Sequence, residues 1–408
     1  MLAFLYNTAL VLFALLYFPK FLYDLVFHQK YRTSLRARLF PKGPSIDKRP
    51  SIWLHGVSVG EIKALSTLIP HIKKTYPNGG IVVTTVTETG YAQAKRSFPD
   101  VSIEYLPLDF LWAVRSFARA IHPDLLILVE GDYWLNLIKE VKKLGAKVVV
   151  ANGKLSKRSL KRYLSLPRFS KALFSPIDHF FLQGESHMER FLMLGISPEK
   201  LTITGNLKLD IPPPEPAEFI APFLQKGDRI ITLGSTHEGE EALLIKEIAP
   251  LLDQDPHLKL VIVPRHPQRF AKVSKLVNHP QIFVITRMGI LATCYQHSTV
   301  AIIGGSFVKG IGGHDIFEPV KGGVPTLYGP HMEKQPDLDK LLEASGAAKK
   351  ISPNMVGDTL RNILYNDQAC QEMITKGKAL VRSVSGNSLQ TWMLINALLI
   401  PLASQKLE

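Results

Sequence analysis

Cysteine is almost absent from this chain. Cys294 and Cys370 are the only two among 408 residues, and neither belongs to a CxxC pair or lies near a pair of histidines. The sequence therefore supports neither a disulfide framework nor a zinc site, and a reducing cytoplasm is the simpler setting. Hydrophobic residues make up 46% of the chain and charged residues 21%, which predicts packed domains rather than wholesale disorder.

Acidic residues are in the minority, with 35 Asp and Glu against 49 Lys and Arg, so the formal net charge is +14. An excess of positive charge favours anionic partners, which include nucleic acids, acidic lipid headgroups and phosphorylated substrates. Aromatic residues are sparse in the basic segments and no nucleic-acid-binding motif occurs. We therefore expect anionic lipid rather than nucleic acid as a partner.

Long apolar runs are missing except at the start. Met1 to Phe18 is apolar apart from Asn7, and neither a basic segment before it nor a small-residue cleavage pattern after it indicates a removable signal peptide. The run is close to the ~18 residues that a spanning helix needs. We predict a membrane anchor over residues 1–27 and a basic juxtamembrane segment over 28–50, which faces the cytoplasm by the positive-inside rule. A spanning helix, an interfacial anchor and a core helix of a soluble protein all remain open.

From Ser51 onward, short apolar runs alternate with segments of helical spacing, which is typical of parallel sheets covered on both faces. Strand candidates in the first half are SIWLHG, IVVTTVT, LLILVE, AKVVVAN, HFFLQ and LTITG. Candidates in the second half are RIITLG, LKLVIVP, IFVIT, TVAIIGG and PTLYG. We predict an α/β protein with a Rossmann-like domain over 51–210, a proline-rich linker over 211–226, a second Rossmann-like domain over 227–385 and a closing helix within 386–408. Ligands of two such doubly wound domains are expected in a cleft at the strand ends.

The motif HGVSVGE follows the first predicted strand and opens a helix, so its backbone amides form an anion-binding turn. Glu61 would lie in the first helical turn, where a carboxylate can take a proton from an attacking hydroxyl. An acid at this position also stabilises a helix through its dipole, and the sequence does not separate the two roles.

The segment LILVEGDYWLN places Glu130 and Asp132 at the end of another strand. Both side chains would point the same way if the strand continued through them. They can equally be turn or cap residues, with Asp132, Trp134 and Asn136 forming a turn closed by an aromatic ring.

A run of seven bases without an acid lies between Asn152 and Lys171. Such a run is either a solvated face or, beside an apolar anchor, a surface for lipid phosphate. The bases are Lys154, Lys157, Arg158, Lys161, Arg162, Arg168 and Lys171.

The second half contains a glycine-rich segment, residues 304–331, after a predicted strand. Its glycines allow backbone to approach a phosphate, and a helix starting near His314 and Asp315 would add its dipole. Glu318, one turn later, could accept hydrogen bonds from ribose hydroxyls. Arg265, at another strand end, could bind a phosphate or a carboxylate, or serve as a structural arginine.

Taken in order, these segments resemble the 3-deoxy-D-manno-octulosonic acid (Kdo) transferase family that acts on the lipid A precursor. The similarity covers nearly the whole chain. It rests on HGVSVGE, VVTTVTETG, YLPLD, EGDYWLN, ANGKLS, TGNLKLD, STHEGEE, VPRHPQRF, GGHDIFEP and YGPH. The resemblance implies a GT-B fold, CMP-Kdo as donor, inversion at the anomeric carbon, and no metal ion or other cofactor.

The resemblance also implies roles for individual residues. Glu61 matches the family's general base, and Glu130 and Lys208 match residues that stabilise the transition state. A cation at Lys208 also suits a developing phosphate charge. The residues that match the CMP-binding segments are Pro264, Arg265, Met288, Gly289, Ile290, Asp315, Ile316, Phe317 and Glu318.

Four motifs depart from the family pattern, among others at the following positions. Asp132 and Lys154, in the acceptor-binding half, replace a usual Glu and Arg. Ile290 replaces an acid, so a CMP contact through that acid is lost or replaced, and Asp315 replaces an Asn.

We therefore predict an inner-membrane glycosyltransferase with its catalytic domains on the cytoplasmic side, which transfers one or more Kdo residues to lipid IVA. A nucleotide-sugar epimerase of similar architecture and a non-catalytic lipid-binding protein are the alternatives.

Overall fold

The computed structural model describes residues 2–27, 34–213 and 227–399. The chain forms two compact units. The N-terminal unit comprises Met1–Ile211 together with Gly386–Glu408, and the C-terminal unit comprises Pro212–Ser385. The bases Lys30 and Arg32 of the predicted juxtamembrane segment, and residues 214–226 of the predicted linker, lie outside the described residues.

The N-terminal unit is built on a seven-stranded sheet in which every pairing is parallel. The order is β3-β2-β1-β4-β5-β6-β7. Alternate side chains of β1 enter two different cores, with Trp53 on one face and Ile52 and Leu54 on the other, so both faces are covered. The strands are β1 Ser51–His55, β2 Gly80–Thr85, β3 Ser102–Tyr105, β4 Leu125–Val129, β5 Lys147–Gly153, β6 His179–Leu182 and β7 Leu201–Ile203.

Ten helices accompany this sheet in the described part of the N-terminal unit. Nine precede the C-terminal unit: α1 Leu2–Phe27, α2 Leu35–Leu39, α3 Val59–Thr75, α4 Glu88–Ser97, α5 Leu111–Ile121, α6 Leu135–Lys143, α7 Lys157–Leu164, α8 Pro167–Phe174 and α9 Glu185–Met193. The tenth is the C-terminal helix Asn387–Ala397. It packs on α3, where the indole of Trp392 donates to Thr75 at 2.8 Å. The chain thus returns to its first domain through the helix Asn387–Ala397.

Helix α1 is tied to the N-terminal unit at its first turns. The Tyr6 hydroxyl donates to Asp109 at 2.8 Å, and Asn136 donates to Asn7 at 2.8 Å. Beyond these contacts much of the helix is exposed and apolar, for example Leu16, which is 82% exposed. Residues Leu2–Lys20 are long and apolar enough to cross a membrane, and this is the one such helix in the described residues.

The C-terminal unit contains a six-stranded parallel sheet of order β10-β9-β8-β11-β12-β13. Its strands are β8 Arg229–Thr236, β9 Leu258–Pro264, β10 Ile282–Val284, β11 Val300–Ile303, β12 Thr326–Tyr328 and β13 Ala348–Lys350. Its α-helices are α10 Glu240–Gln254, α11 Phe270–Leu276, α12 Leu291–Gln296, α13 Phe317–Lys321, α14 Pro336–Ser345, α15 Val356–Tyr365 and α16 Asp367–Ser383. The C-terminal helix Asn387–Ala397 of the N-terminal unit is α17.

The predicted α/β class is confirmed, and every strand candidate is a strand. Two short strands, β3 and β13, escaped prediction. The helix expected near His314 and Asp315 begins only at Phe317, because the Asp315 carboxylate accepts the Phe317 amide at 2.9 Å and the glycines before it have positive φ. In each sheet the strand order reverses beside the first strand, between β1 and β4 and between β8 and β11. Such reversal points are where α/β sheets bind ligands.

Candidate active site

Glu61 lies in the first turn of α3, directly after β1. Its carboxylate accepts the backbone amides of Val57 and Ser58, the latter at 3.2 Å. The side chain is half-buried. Burial raises the pKa of Glu61 and the nearby negative charge of Glu130 adds to this shift, while the two amide hydrogen bonds oppose it. Both the predicted helix-end role and a basic carboxylate are therefore compatible with the geometry.

Glu130 follows β4 and is almost completely buried, at 2% exposure. Its backbone is left-handed, with φ +67°, so the strand ends before it and Asp132 does not share its direction. The carboxylate forms ion pairs with Lys208 at 2.5 Å and with Lys154. Burial alone would raise the pKa of Glu130, but the charges of Lys208 and Lys154 outweigh it and hold the pKa below its ordinary value.

The ammonium group of Lys208 joins the two acidic sites. It contacts Glu130, and a β-carbon added to Gly60 at the start of α3 would lie 3.5 Å from it. Asn152 fixes the turn that carries Lys208, because its amide donates to Glu130 at 3.3 Å and its carbonyl oxygen accepts the Leu207 amide at 3.0 Å. The structure thus brings Glu61, Glu130 and Lys208 together at the β1–β4 reversal point.

Asp132 belongs to the turn closed by an aromatic ring. Its carboxylate accepts the indole of Trp134 at 2.9 Å and lies 3.1 Å from the completely buried imidazole of His55. Burial would raise the pKa of Asp132, but the His55 contact outweighs this and lowers it. Sequence reasoning did not select His55, and it named Lys154 only as a member of the basic run and as a departure from the family pattern, not as a partner of Glu130. Their signal was position alone, since each comes at or just after the end of a buried strand.

In the C-terminal unit, the fully buried Glu240 organises the β8–β11 reversal point. Its carboxylate accepts three backbone amides, from His237 at 2.9 Å, Gly305 at 2.6 Å and Phe307 at 2.9 Å. Burial raises the pKa of Glu240, although these hydrogen bonds oppose the shift. Glu240 therefore holds the glycine turn after β11 against the turn after β8. Sequence reasoning missed it, although the acid pair in STHEGEE was the available signal.

His237, in the turn after β8, contacts His314 of the glycine-rich segment. The Nε2 atoms of His237 and His314 are 2.7 Å apart, and the ring of His266 lies 5.2 Å from that of His237. Burial and the surrounding positive groups lower the pKa of His237, and they lower that of His314 to about 4. Near neutral pH the pair is uncharged, with one imidazole donating to the other. Sequence reasoning did not select these histidines either.

The residues predicted to bind a nucleotide differ in accessibility. Arg265 and Met288 are exposed, whereas Pro264, Ile290, Ile316 and Phe317 are buried. Ile290 packs in a small core with Cys294, so a contact from it to a ligand has to come from its main chain. Gly289 has a φ of +81°, which favours glycine. Asp315 and Glu318 remain the polar side chains of the last segment.

The basic run forms the hairpin of α7 and α8. All seven bases are exposed, and Lys154, whose side chain is 47% exposed, also reaches the buried carboxylate of Glu130. Exposed Leu164 and Leu166 lie among them, and Phe169 stacks on Tyr6 of α1 at 5.8 Å. Basic and apolar side chains thus share the surface next to α1. In the described residues no cluster of His, Cys, Asp and Glu suits a metal ion.

Comparisons with known proteins agree on one family. The family model for 3-deoxy-D-manno-octulosonic-acid transferase matches residues 32–211. The 3-deoxy-D-manno-octulosonic acid transferase of Chlamydophila psittaci is 33% identical over 95% of both chains. That of Haemophilus influenzae is 32% identical over 85% of this chain and 86% of its own.

Solved structures show the fold. UDP-GlcNAc 2-epimerase from Neisseria meningitidis, bound to UDP-GlcNAc, superposes with a TM-score of 0.63 at 15% identity, over 85% of this chain and 99% of its own. A glycosyltransferase from Rickettsia africae gives a TM-score of 0.61 at 12% identity, over 86% and 99%. These similarities confirm the predicted GT-B fold, and at such low identity they say nothing about activity.

Proposed function

Since the chain belongs to the Kdo transferase family and is a glycosyltransferase, we propose that it transfers Kdo from CMP-Kdo to lipid IVA with inversion. The observation that carries this proposal is the cluster of Glu61, Glu130 and Lys208 at the β1–β4 reversal point. In active sites, two neighbouring acids often take different roles because their environments push their pKa values apart. The acid with the raised pKa exchanges protons, and the acid with the lowered pKa stays charged.

Glu61 is the proposed general base. Its pKa is raised by burial and by Glu130, which makes the carboxylate a better proton acceptor near neutral pH. In the proposed reaction it takes the proton of an acceptor hydroxyl while that oxygen attacks the anomeric carbon of Kdo. The bond from that carbon to the phosphate oxygen breaks, and CMP leaves with the electron pair.

Lys208 and Glu130 act together in this proposal. The buried carboxylate holds the ammonium group in one position beside the start of α3, so that no reorganisation is needed when charge develops. Lys208 would then stabilise the negative charge of the transition state, and the depressed pKa of Glu130 keeps the pair ionised.

The C-terminal unit is the proposed donor-binding unit. Glu240 holds the glycine turn at a strand end through the amides of Gly305 and Phe307, and the remaining glycine-rich backbone of this segment is assigned to the CMP phosphate. Exposed Arg265 is assigned to the phosphate or the Kdo carboxylate and Glu318 to ribose hydroxyls. Because Ile290 has no polar side chain, the main chain around Gly289 is proposed to contact CMP at the position where the family pattern implies an acid.

Helix α1 is proposed to be an interfacial anchor on the cytoplasmic face of the inner membrane. A spanning helix carries the chain before and after it to opposite sides of a hydrocarbon layer about 30 Å thick. Here Tyr6 near the start and Arg38 after the helix both bond to the loop between β3 and α5, at Asp109 and Leu106. The adjoining bases of α7 and α8 suit anionic headgroups.

The test is to incubate the purified full chain with CMP-Kdo and lipid IVA and to weigh the lipid by mass spectrometry. We expect a gain of whole Kdo units, and the same assay counts them. Isomerised donor without a lipid product would favour the epimerase alternative and contradict transfer.

Glu61→Gln tests the base. We expect kcat to fall by about 10²–10⁴-fold while CMP affinity is kept, because general-base catalysis contributes about that factor. Glu185→Gln, an exposed acid in the first turn of α9, is the matched control and should behave as wild type. If Glu61→Gln turned over near the wild-type rate, the assignment of Glu61 as the general base would be wrong.

A further inference from the structure

The N-terminal unit contains a cavity of about 630 Å³ beneath α1. One wall is the middle of α1, another is α2, and the third is the segment 107–112 that precedes and opens α5. Its lining is overwhelmingly apolar and includes Leu10, Ala14, Phe18, Leu108, Phe110 and Trp112. Its size is within the ~300–1,000 Å³ typical of small-molecule sites.

Specific polar contacts hold the three walls in place. Tyr6 and Asn7 bond α1 to Asp109 and Asn136. The Leu108 amide donates to the Arg38 carbonyl at 2.9 Å. The indole of Trp112 donates to the Leu39 carbonyl at 3.3 Å. The cavity therefore persists when the outward face of α1 is covered, because none of these contacts uses that face.

We propose that this cavity holds an acyl chain of the acceptor lipid, an assignment that rests on the proposed function. The outward face of α1 is exposed and apolar, as at Phe4 and Leu16, so the cavity opens beside a surface suited to membrane hydrocarbon. Arg38 is the basic side chain in its wall, and Arg36 is exposed beside it. An apolar chain next to a guanidinium matches a lipid that carries phosphate.

The cavity is also joined to the carboxylate cluster. Trp134 lines the cavity, and its indole donates to Asp132, which contacts His55 at the end of β1. Asp132 is two residues from Glu130. In the proposed assignment, the sugar portion of a lipid with one chain in the cavity extends from the Trp134 end toward Glu61 and Lys208. In this assignment α1 selects the acceptor as well as anchoring the enzyme.

The experiment compares two substitutions on one helix. Ala14→Phe places a ring inside the cavity and so narrows it, whereas Ala9→Phe adds the same ring to an exposed position that does not line it. Each variant is assayed with acceptors that differ only in acyl-chain length. Wild type and Ala9→Phe should prefer the long-chain acceptor in kcat/KM by about 10–200-fold, the range that hydrophobic pockets achieve.

Ala14→Phe should lose this preference while its kcat/KM for the short-chain acceptor stays within about threefold of wild type, a difference below 1 kcal/mol. Leu108→Trp, which narrows the cavity from another wall, should do the same. Equal preference in Ala14→Phe and Ala9→Phe, or an equal loss of activity with both acceptors, would overturn the cavity assignment and leave transfer itself intact. Failure of wild type to modify either acceptor would instead overturn the proposed function.

Discussion

In the N-terminal sheet, the strands beside the reversal of strand order are followed by acids, Glu61 after β1 and Glu130 after β4. In the C-terminal sheet, the equivalent strands β8 and β11 are followed by His237 and by the glycine turn at Gly305. Each point contains a buried glutamate, but Glu130 is neutralised by lysines and Glu240 by backbone amides. The same topology therefore carries two different kinds of charge compensation.

This difference matters for chemistry. The lysines paired with Glu130 are cations that can stabilise a negative charge developing on a substrate. The amides bound by Glu240 are already occupied and serve to shape a turn. The β1–β4 reversal point is therefore suited to catalysis. The β8–β11 reversal point is suited to binding an anionic ligand through those glycine-rich backbone groups that Glu240 does not bind. Variants at the two points should therefore separate turnover from nucleotide affinity.

After Glu61→Gln, the largest effect is expected for Lys208→Met. Loss of the cation from the Glu130 pair should lower kcat by about 10²–10³-fold, a typical loss for one stabilising group, with CMP affinity unchanged. Lys157→Met, on exposed α7, is the control for general loss of charge. Steady-state kinetics and CMP titration measure the two quantities. A weakened CMP affinity with unchanged kcat would reverse the assignment of the two reversal points.

A smaller effect is expected for Glu240→Gln. The amide can still accept hydrogen bonds, but its NH₂ group faces one of the three backbone amides, which costs about 1–3 kcal/mol. CMP affinity should therefore fall by about 5–150-fold, measured by calorimetry, with the melting of the N-terminal unit unchanged. Glu238→Gln, in the same turn but 71% exposed at its side chain, should bind CMP as wild type does. If Glu240→Gln bound CMP as tightly as wild type does, the assignment of this turn to nucleotide binding would be wrong.

The smallest expected effect is that the C-terminal unit loses stability at acidic pH before the N-terminal unit does. The pKa of His314 is about 4 in the folded protein against 6.5 ordinarily, so between these values the unfolded chain binds more protons and stability falls as pH falls. Burial contributes most to this lowered pKa, and the nearby His237, Arg265, Lys334 and His266 lower it further.

In the N-terminal unit, the lowered pKa of Glu130 preserves its contribution until pH falls below the ordinary 4.5. Asp109, with a raised pKa of about 6, takes up a proton more readily when folded and so favours the fold slightly on acidification. Hydrogen exchange at pH 7.5 and 5.5, corrected for intrinsic rates, should show the C-terminal unit opening first. His314→Gln should reduce the difference in acid sensitivity between the two units. Earlier opening of the N-terminal unit at pH 5.5 would contradict this prediction.

Much of the fold followed from local pattern. Near-continuous apolar strands such as SIWLH and LLILV indicate buried parallel strands, and the observed strands coincide with these runs. Strands β3 and β13 were missed because Ser102–Tyr105 and Ala348–Lys350 are short and partly polar. The start of α13 was misjudged because Asp315 caps the Phe317 amide and so holds the helix start two residues later.

For the site, the positions of Glu61 and Glu130 at strand ends could be read from the sequence, but their partners could not. Lys154 read as one base in a run of seven, yet its amine turns inward to Glu130. His237 and His314 are 77 residues apart and meet only because β8 and β11 are neighbours. Contacts of this kind depend on sheet order, which apolar periodicity does not encode.

By itself, the amino-acid sequence determined the two α/β halves, the apolar N-terminal segment and the family, because strand burial, hydrophobic length and motif order are local properties. The tertiary structure alone decided that Lys208 neutralises Glu130, that α17 returns to the first domain, and that α1 roofs an apolar cavity. The physical reason is that an ion pair, a helix contact or a cavity depends on distances between residues far apart in the chain, which only the packed sheets establish.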